Sequence, residues 1–267
     1  MISVKLNGYN VPLEHFTFPG GEEHIKIEPS TGASPKDISV YALLRNSSDL
    51  IALLLTVDAA RRISHPHARL ELHLPYLPYA RQDRVAVRGE SLSLKVIANT
   101  INSLKADEVI LCDVHSDVGL ALINNVTHRS QQHCMERYSV HLFNNCMKGW
   151  YTLVAPDLGA SKKTAALAKT FNMESFIQAT KDRDPQTGQL SNPTVLTDNI
   201  EKGLDMLIVD DICDGGGTFL MLADKLEEFS PNSISLYTTH GIYSKGKQIL
   251  TSKLTRVYSA FDWETTP

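Results

Sequence analysis

The sequence predicts an α/β protein, in which parallel strands alternate with helices that cover both faces of the sheet. Apolar runs of strand length alternate with amphipathic runs of helical spacing along most of the 267 residues. In the segment 207–218, an apolar strand runs into two adjacent carboxylates, a third carboxylate follows, and then come a glycine-rich turn and a helical pattern. Ligands of such folds bind at the carboxyl ends of strands, so this corner indicates where a site is expected.

The elements predicted in the first part of the chain follow a regular order. A strand is expected at 38–42. Ser48 is expected to cap the next helix, which runs through Arg61 with Ile51, Leu54 and Leu55 on its inner face. The other elements predicted here are a period-two strand at 69–74, a helix at 91–104 and a strand at 108–112.

The pattern restarts after residues 124–150, which are poor in periodicity and rich in His, Asn and Gln. We therefore expect two domains, 1–141 and 142–267, each with a mainly parallel sheet flanked by helices. A polar stretch at 181–199 is long for a connection and is typical of an active-site loop. The second part is predicted to hold strands at 151–155, 175–178, 206–209 and 233–237, a helix at 161–171 and another after Thr218.

Composition excludes several classes of protein. A net charge of −4 gives no electrostatic footprint for nucleic acid or for an anionic membrane surface. The longest aliphatic run, near 50–55, is far shorter than the roughly 20 residues of a membrane span, and no secretory signal is visible. The four cysteines form no C-x-x-C pair, which favours free thiols in the cytoplasm.

The segment 207–218 has the chemistry of a ribose-phosphate site. Its glycines let backbone N–H groups surround a phosphate at a helix N-terminus, where the helix dipole favours an anion. Asp210 and Asp211 can accept hydrogen bonds from vicinal hydroxyls. An ordinary strand–turn–helix corner is the alternative, but three carboxylates at the end of a buried strand are costly without a ligand. The predicted contacts are Asp210, Asp211, Asp214, Gly215, Gly216, Gly217 and Thr218.

A second block, 75–84, follows a predicted strand and mixes aromatic rings with arginines. The planar guanidinium of Arg81 suits polyphosphate, and its face can stack on a base. A solvated charged loop would explain 81–84 alone, but it does not explain the flanking prolines and tyrosines. We therefore predict that Arg81, Gln82 and Asp83 belong to a nucleotide site.

These two blocks carry a resemblance to a known family. The block 75–84 resembles the ATP-site signature of ribose-phosphate pyrophosphokinases, and 207–218 resembles the loop that they share with type I phosphoribosyltransferases. Further landmarks are similar in chain order. They are 18–22 with Phe18 and Glu22, 113–116 with His115, 155–162 with Asp157, 181–183 with Lys181 and Arg183, and 239–240.

The resemblance implies two domains of the type I phosphoribosyltransferase kind. It also implies transfer of the β,γ-pyrophosphoryl group of ATP to the anomeric hydroxyl of ribose 5-phosphate, with Mg²⁺ as cofactor. Lys181 and Arg183 would be catalytic, and His115 and Asp157 would serve the metal. Family members form dimers that build hexamers, so a homo-oligomer is expected. The implied ATP-binding residues are Phe18, Glu22, Arg81, Gln82, Asp83 and His115.

The glycine loop departs from the family pattern. Gly215 stands where members usually carry Thr directly after the Asp, which removes one hydroxyl and opens space beside the phosphate. The same chemistry with ADP-ribose as acceptor, a step of NAD salvage, is therefore one alternative. The others are a type I phosphoribosyltransferase, which would not need Lys181 and Arg183, and a non-catalytic regulatory homologue, which would be expected to lose them.

Overall fold

The computed structural model describes residues 2–28, 34–180 and 193–264. The chain packs as two compact units, Met1–Ser130 and Gln131–Pro267. Both units combine mostly parallel sheets with helices, which confirms the predicted α/β class. The functional division at residue 141, into an ATP-site domain and a ribose-phosphate domain, stays a prediction.

The first unit begins with short antiparallel strands that the sequence analysis does not predict, and then follows the expected strand–helix alternation. Its strands are β1 (Ile2–Leu6), β2 (Tyr9–Val11), β3 (Leu13–Thr17), β4 (Glu23–Ile27), β5 (Asp37–Ala42), β6 (Arg69–Leu74), β7 (Glu108–Cys112) and β8 (Val126–Arg129). Its helices are α1 (Ser47–Arg62), α2 (Ser93–Asn102) and α3 (Asp117–Leu122).

Six of the described strands form one sheet in the order β2-β1-β5-β6-β7-β8, and β3 pairs with β4 separately. Strands β5 to β8 are parallel, whereas β1 is antiparallel to both of its neighbours. Helix α1 begins two residues earlier than a cap at Ser48 implies. Asn46, not Ser48, is its N-cap, because the Asn46 side chain accepts a hydrogen bond of 2.9 Å from the Asp49 N–H. The expected cap was therefore wrong; the Ser48 hydroxyl donates instead to Glu23.

The second unit contains the glycine-rich corner. Its helices are α4 (Gln131–Tyr138), α5 (Val140–Met147), α6 (Ser161–Thr170) and α7 (Gly217–Glu227), with a 3-10 helix at Lys247–Ser252. Its strands are β9 (Thr152–Ala155), β10 (Ile177–Thr180), β11 (Thr194–Val195), β12 (Asp205–Cys213), β13 (Ser233–Gly241) and β14 (Arg256–Asp262).

The described strands of this unit form one sheet in the order β11-β10-β9-β12-β13-β14. Only the β10–β11 pair is antiparallel. Two apolar clusters lie on opposite faces of the sheet. Phe219, Leu222 and Leu226 of α7 pack with Ile208 in one cluster, whereas Leu167 of α6 packs in the other.

Two elements of this unit differ from the prediction. Strand β10 lies two residues later than predicted, and β11 forms within the stretch 181–199, which was expected to be irregular. Residues 181–192 of that stretch lie outside the described part of the chain. Among the described residues, none of the helices combines the length and the apolar character that crossing a membrane requires.

Candidate functional site

The carboxyl ends of β9 and β12 define a crevice in the second unit. These strands are neighbours, but α6 leads from β9 to β10 on one side while α7 leads from β12 to β13 on the other. Because such crossovers are right-handed, the two helices must cover opposite faces. Their separate apolar clusters agree with this. In open α/β sheets, ligands bind at such a reversal of strand order.

The glycine loop lies at the end of β12. Gly216 has a φ of +77° and immediately precedes the eleven-residue helix α7. A side chain at Gly216 would also place its Cβ 2.7 Å from Leu250 Cδ2, so glycine is required there twice over. By contrast, a Cβ at Gly217 would have no heavy atom within 4 Å. The loop thus presents backbone rather than side chains to a phosphate at the α7 N-terminus.

The acidic residues before the loop are held in place by hydrogen bonds. Asp210 Oδ1 accepts from the Asp211 N–H at 2.9 Å, and the Asp210 carbonyl accepts from Gln131 Nε2 at 2.8 Å. Lys163 Nζ on α6 lies 3.2 Å from Asp211 Oδ2. Asp214 Oδ1 accepts from the Ser244 hydroxyl at 2.6 Å. Asp211 is buried and Asp210 is half-buried, so at least one carboxylate can face the crevice.

Asp157 stands at the same level of the sheet as Asp211. Val154 and Ile208 are paired across β9 and β12, and each aspartate follows its paired residue by three positions. Asp157 Oδ1 accepts from the Ala160 N–H at 3.0 Å, which ties the carboxylate to the start of α6. The structure therefore brings Asp157, the two strand-end aspartates and the glycine loop to one edge of this unit.

Cys213 lies inside the same corner but is fully buried. Burial, reinforced by the nearby negative charges of Asp210 and Asp214, raises the pKa of its thiol to about 12. A thiol with such a pKa stays protonated near neutral pH and is a poor nucleophile. Cys213 therefore acts as a small packing residue.

In the first unit, the predicted nucleotide residues gather at the carboxyl edge of its sheet. Arg81, Gln82 and Asp83 follow the end of β6, and His115 follows the end of β7. The two strands are paired through Leu74 and Leu111, and the Cys112 N–H donates to the Pro75 carbonyl at 3.1 Å. Arg81 and His115 are exposed.

Phe18 and Glu22 lie on the turn of the β3–β4 hairpin. Phe18 is 44% exposed, and its ring centroid lies 4.9 Å from that of Phe16 and 5.6 Å from that of His24. A half-exposed aromatic cluster of this kind can stack on a planar base. Glu22 is exposed, while Glu23 anchors the hairpin by accepting from His15 at 2.6 Å and from Ser48.

The described residues do not establish two of the predicted roles, catalysis and metal binding. Lys181 and Arg183 lie outside the described residues. Within 2–28, 34–180 and 193–264, no group of three or more His, Cys, Asp or Glu side chains is arranged to hold a metal ion. Mg²⁺ prefers oxygen ligands, usually keeps several waters and uses one or two carboxylates with substrate phosphates. The carboxylate of Asp157 is therefore a donor of a suitable kind, whereas the imidazole of His115 suits a hydrogen bond to a metal-bound water better than direct ligation.

Three residues near the site were not found from the sequence. Gln131 and Lys163 reach the strand-end aspartates from helices, and the Lys245 side chain lies beside Gly215, 3.5 Å from where a Cβ would stand. A helical pattern could have placed Lys163 on the inner face of α6, four residues before the buried Leu167. Lys245 follows β13 in a loop, where no periodic signal exists.

Comparison with known proteins agrees with this geometry. Residues 124–264 match the model of the phosphoribosyl transferase domain, and residues 1–104 match that of the N-terminal domain of ribose phosphate pyrophosphokinase. The fold of the second unit and its glycine loop thus define a protein of the phosphoribosyltransferase class.

The curated relatives extend the match over nearly the whole chain. A ribose-phosphate pyrophosphokinase of Agrobacterium fabrum is 29% identical over 256 residues, which cover 92% of this chain and 78% of the relative. One from Pyrococcus furiosus is 29% identical over 231 residues, covering 86% and 77%. The chain belongs to the ribose-phosphate pyrophosphokinase family.

A solved structure supports the fold. The crystal structure of phosphoribosylpyrophosphate synthetase from Mycobacterium smegmatis has a TM-score of 0.78 against this chain at 22% identity. The match covers 95% of this chain and 81% of that one. The architecture predicted from the sequence is therefore confirmed. The predicted family is confirmed by the family models and the curated relatives.

Proposed function

We propose that this enzyme transfers the β,γ-pyrophosphoryl group of MgATP to the anomeric hydroxyl of ribose 5-phosphate, giving phosphoribosyl pyrophosphate and AMP. The observation that carries the proposal is the corner at the end of β12. There two hydrogen-bonded aspartates precede a glycine loop with a left-handed Gly216 and a helix N-terminus. This arrangement suits a sugar with vicinal hydroxyls and a terminal phosphate.

The residues of the second unit would bind the acceptor. Backbone N–H groups of the loop at 215–218 would hold the phosphate, with the cation of Lys245 close by. Asp210 and Asp211 would accept hydrogen bonds from the ring hydroxyls. Asp210 is held by the Asp211 N–H, and Asp211 is held by Lys163, so both carboxylates are oriented before the sugar arrives. Such preorganisation lowers the cost of positioning the acceptor.

The residues of the first unit would bind ATP. The exposed guanidinium of Arg81 suits the polyphosphate, and the ring of Phe18 suits the adenine. Mg²⁺ would be held with help from His115 and Asp157, and when bound it supplies neutralisation of phosphate charge. Lys181 and Arg183 would neutralise the charge that develops on the transferred group and on departing AMP, as this class of reaction requires.

The family resemblance also supports a homo-oligomer and a cytoplasmic location as parts of this proposal. The cysteines Cys112, Cys134, Cys146 and Cys213 are all buried, and none of them forms a disulfide. Thiols persist in a reducing compartment, so these residues agree with a cytoplasmic enzyme.

The decisive measurement is ATP-dependent release of AMP. The purified chain is incubated with MgATP and ribose 5-phosphate, and the products are identified by mass spectrometry. We expect AMP and phosphoribosyl pyrophosphate in equal amounts. Lys181→Ala should lower turnover by roughly 10²–10³-fold, since it removes a donor to the transition state. Lys225→Ala, which removes a surface lysine paired with Glu228, is the matched control.

Any of three results would reject the proposal. Near-normal AMP release by Lys181→Ala would show that the catalytic loop was misassigned. An enzyme that consumes phosphoribosyl pyrophosphate with a base, and releases no AMP from ATP, would be a type I phosphoribosyltransferase. A chain with neither activity would match a regulatory homologue.

ADP-ribose is the second candidate acceptor, and Gly215 favours it. A Cβ at Gly215 would make only ordinary van der Waals contact with Lys245, so the backbone does not require glycine there, yet this position carries glycine. The loop is therefore more open at the phosphate end, where the rest of ADP-ribose would continue. Gly215→Thr should reduce use of ADP-ribose much more than use of ribose 5-phosphate. Equal effects on the two acceptors would remove this argument.

A further inference from the structure

The turn between β3 and β4 has two glycines at its tip, and the backbone requires only one of them. The Gly21 N–H donates to the Phe18 carbonyl at 2.8 Å, and the Phe18 N–H donates to the Glu22 carbonyl at 2.8 Å. Gly21 has a φ of +91°, a conformation that favours glycine. The φ of Gly20 lies outside the left-handed region, and no heavy atom of the described residues lies within 4 Å of where its Cβ would stand. Neither backbone strain nor packing therefore demands a glycine at position 20.

One face of this hairpin carries three rings. Phe16 and His24 are paired across the two strands, and Phe18 follows Phe16 by two residues, which puts both phenylalanines on the same face. The Phe16 ring centroid lies 4.9 Å from that of Phe18 and 4.9 Å from that of His24. Phe16 is 45% exposed and Phe18 is 44% exposed, so together they present apolar area that a flat ligand can cover. We call Phe16, Phe18 and His24 the ring platform.

The other face of the hairpin ties the ring platform to the body of the unit. Glu23 accepts a hydrogen bond from the Thr17 hydroxyl at 3.1 Å and contacts the His15 ring at 2.6 Å, and the Ser48 hydroxyl of α1 donates to it as well. Ile25 of β4 packs in the apolar core. The ring platform is therefore formed before a ligand arrives, so binding does not have to order it.

The turn offers few groups that can distinguish one nucleotide base from another. Of residues 18–22, only Glu22 has a polar side chain, and that side chain is exposed. Stacking on rings tolerates any base, because every base has a π-face. Buried polar groups matched to one ligand can reject an analogue by roughly 10⁴–10⁵-fold, but residues 18–22 hold no buried side chain of that kind.

A carboxylate at the edge of the base suits guanine at least as well as adenine. An ionised carboxylate only accepts hydrogen bonds, and its two oxygens can accept from two donors at once. Guanine presents its N1–H and its 2-amino group side by side, whereas adenine presents only its 6-amino group. Glu22 therefore gives the turn no means of excluding guanine.

We propose that the ring platform binds the purine base of the pyrophosphoryl donor by stacking, with Glu22 as the side chain of the turn that contacts its edge, so that GTP serves as a donor alongside ATP. This inference rests on the proposed function. In the added reaction the anomeric oxygen of the acceptor bonds to the β-phosphorus of GTP, and the bond from that phosphorus to the oxygen bridging it to the α-phosphorus breaks. GMP leaves, and the hydroxyl proton passes to solvent. Pyrimidine bases cover less of the rings, so CTP and UTP should be poorer donors.

A panel of donors tests the proposal. The full chain is incubated with Mg²⁺, with ribose 5-phosphate or ADP-ribose, and with ATP, GTP, CTP or UTP in separate reactions, and the nucleoside monophosphates released are quantified by mass spectrometry. We expect a kcat/KM for GTP within about a hundredfold of that for ATP, because stacking and one carboxylate discriminate weakly. A larger deficit with GTP, while ATP is used, overturns this inference and leaves the proposed function standing. No monophosphate from any donor overturns both.

Phe16→Ala tests the stacking contact. It should raise the KM for ATP and the KM for GTP alike, by on the order of tenfold, because a lost ring weakens the stacking of both bases. Phe16→Tyr keeps a ring and should preserve both KM values. Tyr9→Ala, which removes an exposed ring from β2, is the control and should change neither. Circular dichroism checks that each variant is folded, and unchanged KM values in folded Phe16→Ala overturn the proposal.

Glu22→Gln tests the contact at the edge of the base. It removes the negative charge that faces the two donors of guanine, and it gives adenine a donor as well as an acceptor. The ratio of kcat/KM for GTP to that for ATP should therefore fall by on the order of tenfold. A merely structural effect would lower both values together, so an unchanged ratio overturns the assigned role of Glu22.

Discussion

Lys163 on α6 holds the carboxylate of Asp211 at the end of β12, with Nζ 3.2 Å from Oδ2. The two side chains are only 26% and 7% exposed, so this ion pair is shielded from water much more than a surface pair. The Asp211 carboxylate is poorly hydrated at this position. The ammonium group of Lys163 offsets the free-energy cost of burying it. The pair also fixes the direction of a carboxylate that we expect to contact the ribose hydroxyls.

We predict that Lys163→Met raises the KM for the ribose-phosphate acceptor by on the order of tenfold, because Asp211 loses its charged partner. The KM for ATP should change little. Steady-state kinetics with each substrate varied in turn provides the measurement. Lys163→Arg should restore most of the affinity, and Lys162→Met, at the exposed neighbouring position, is the control. A fall in kcat alone, with both KM values unchanged, would contradict this positioning role.

A second prediction concerns the glycine loop. Gly216→Ala should lower the free energy of unfolding by about 1–3 kcal/mol, since it adds a left-handed penalty and a Cβ that meets Leu250 at 2.7 Å. Gly217→Ala should leave the free energy of unfolding unchanged or raise it slightly, because nothing lies within 4 Å of its Cβ. Urea unfolding of both variants decides the matter. Equal stabilities would mean that the loop relaxes around the new methyl group.

The sequence predicted β12 and the loop well because several signals coincide there. An apolar run, a glycine cluster and the helical spacing of Phe219, Leu222 and Leu226 all indicate the same corner. The family resemblance, which links the remaining motifs in chain order, was confirmed by the family models and the curated relatives. The division at residue 141 and the catalytic roles of Lys181 and Arg183 stay predictions.

Other elements were missed for identifiable reasons. Helix α4 buries Gln131, Cys134 and Met135 at helical spacing, but a glutamine on the inner face hides an apolar pattern. Strand β11 has two residues, which is too short for any period to show. Strands β1 to β4 form local antiparallel pairs of three to five residues, and their register depends on partners that the local pattern does not reveal. Tertiary contacts decide all three cases.

A third prediction tests the cap of α1. Asn46→Ala should lower the free energy of unfolding by about 1 kcal/mol, because the Asp49 N–H loses the acceptor that lies 2.9 Å away. Asn46→Asp keeps an oxygen acceptor in place and should be close to neutral. The measurement is the midpoint of urea unfolding at constant pH. Loss of stability in both variants would indicate that the amide group of Asn46, rather than its oxygen, is required.

The last prediction is a loss of stability in alkali. Burial raises the pKa of the thiols of Cys146 and Cys213 from 9.0 to about 12, and it raises the pKa of Tyr243 from 10.0 to about 12. In the unfolded chain these groups ionise near their ordinary values, whereas the native chain keeps them protonated. Unfolding above pH 9 therefore releases protons, and rising pH favours the unfolded state.

Their contribution to stability is thus complete below pH 9 and is lost progressively as pH rises toward 12. Each proton released steepens the fall of the unfolding free energy by about 1.4 kcal/mol per pH unit. Urea unfolding at a series of pH values between these limits measures the slope. Cys146→Ala is less stable at neutral pH because it leaves a small cavity, yet its slope should be shallower by up to one proton. An unchanged slope would show that the Cys146 thiol ionises as readily in the native chain as in the unfolded one.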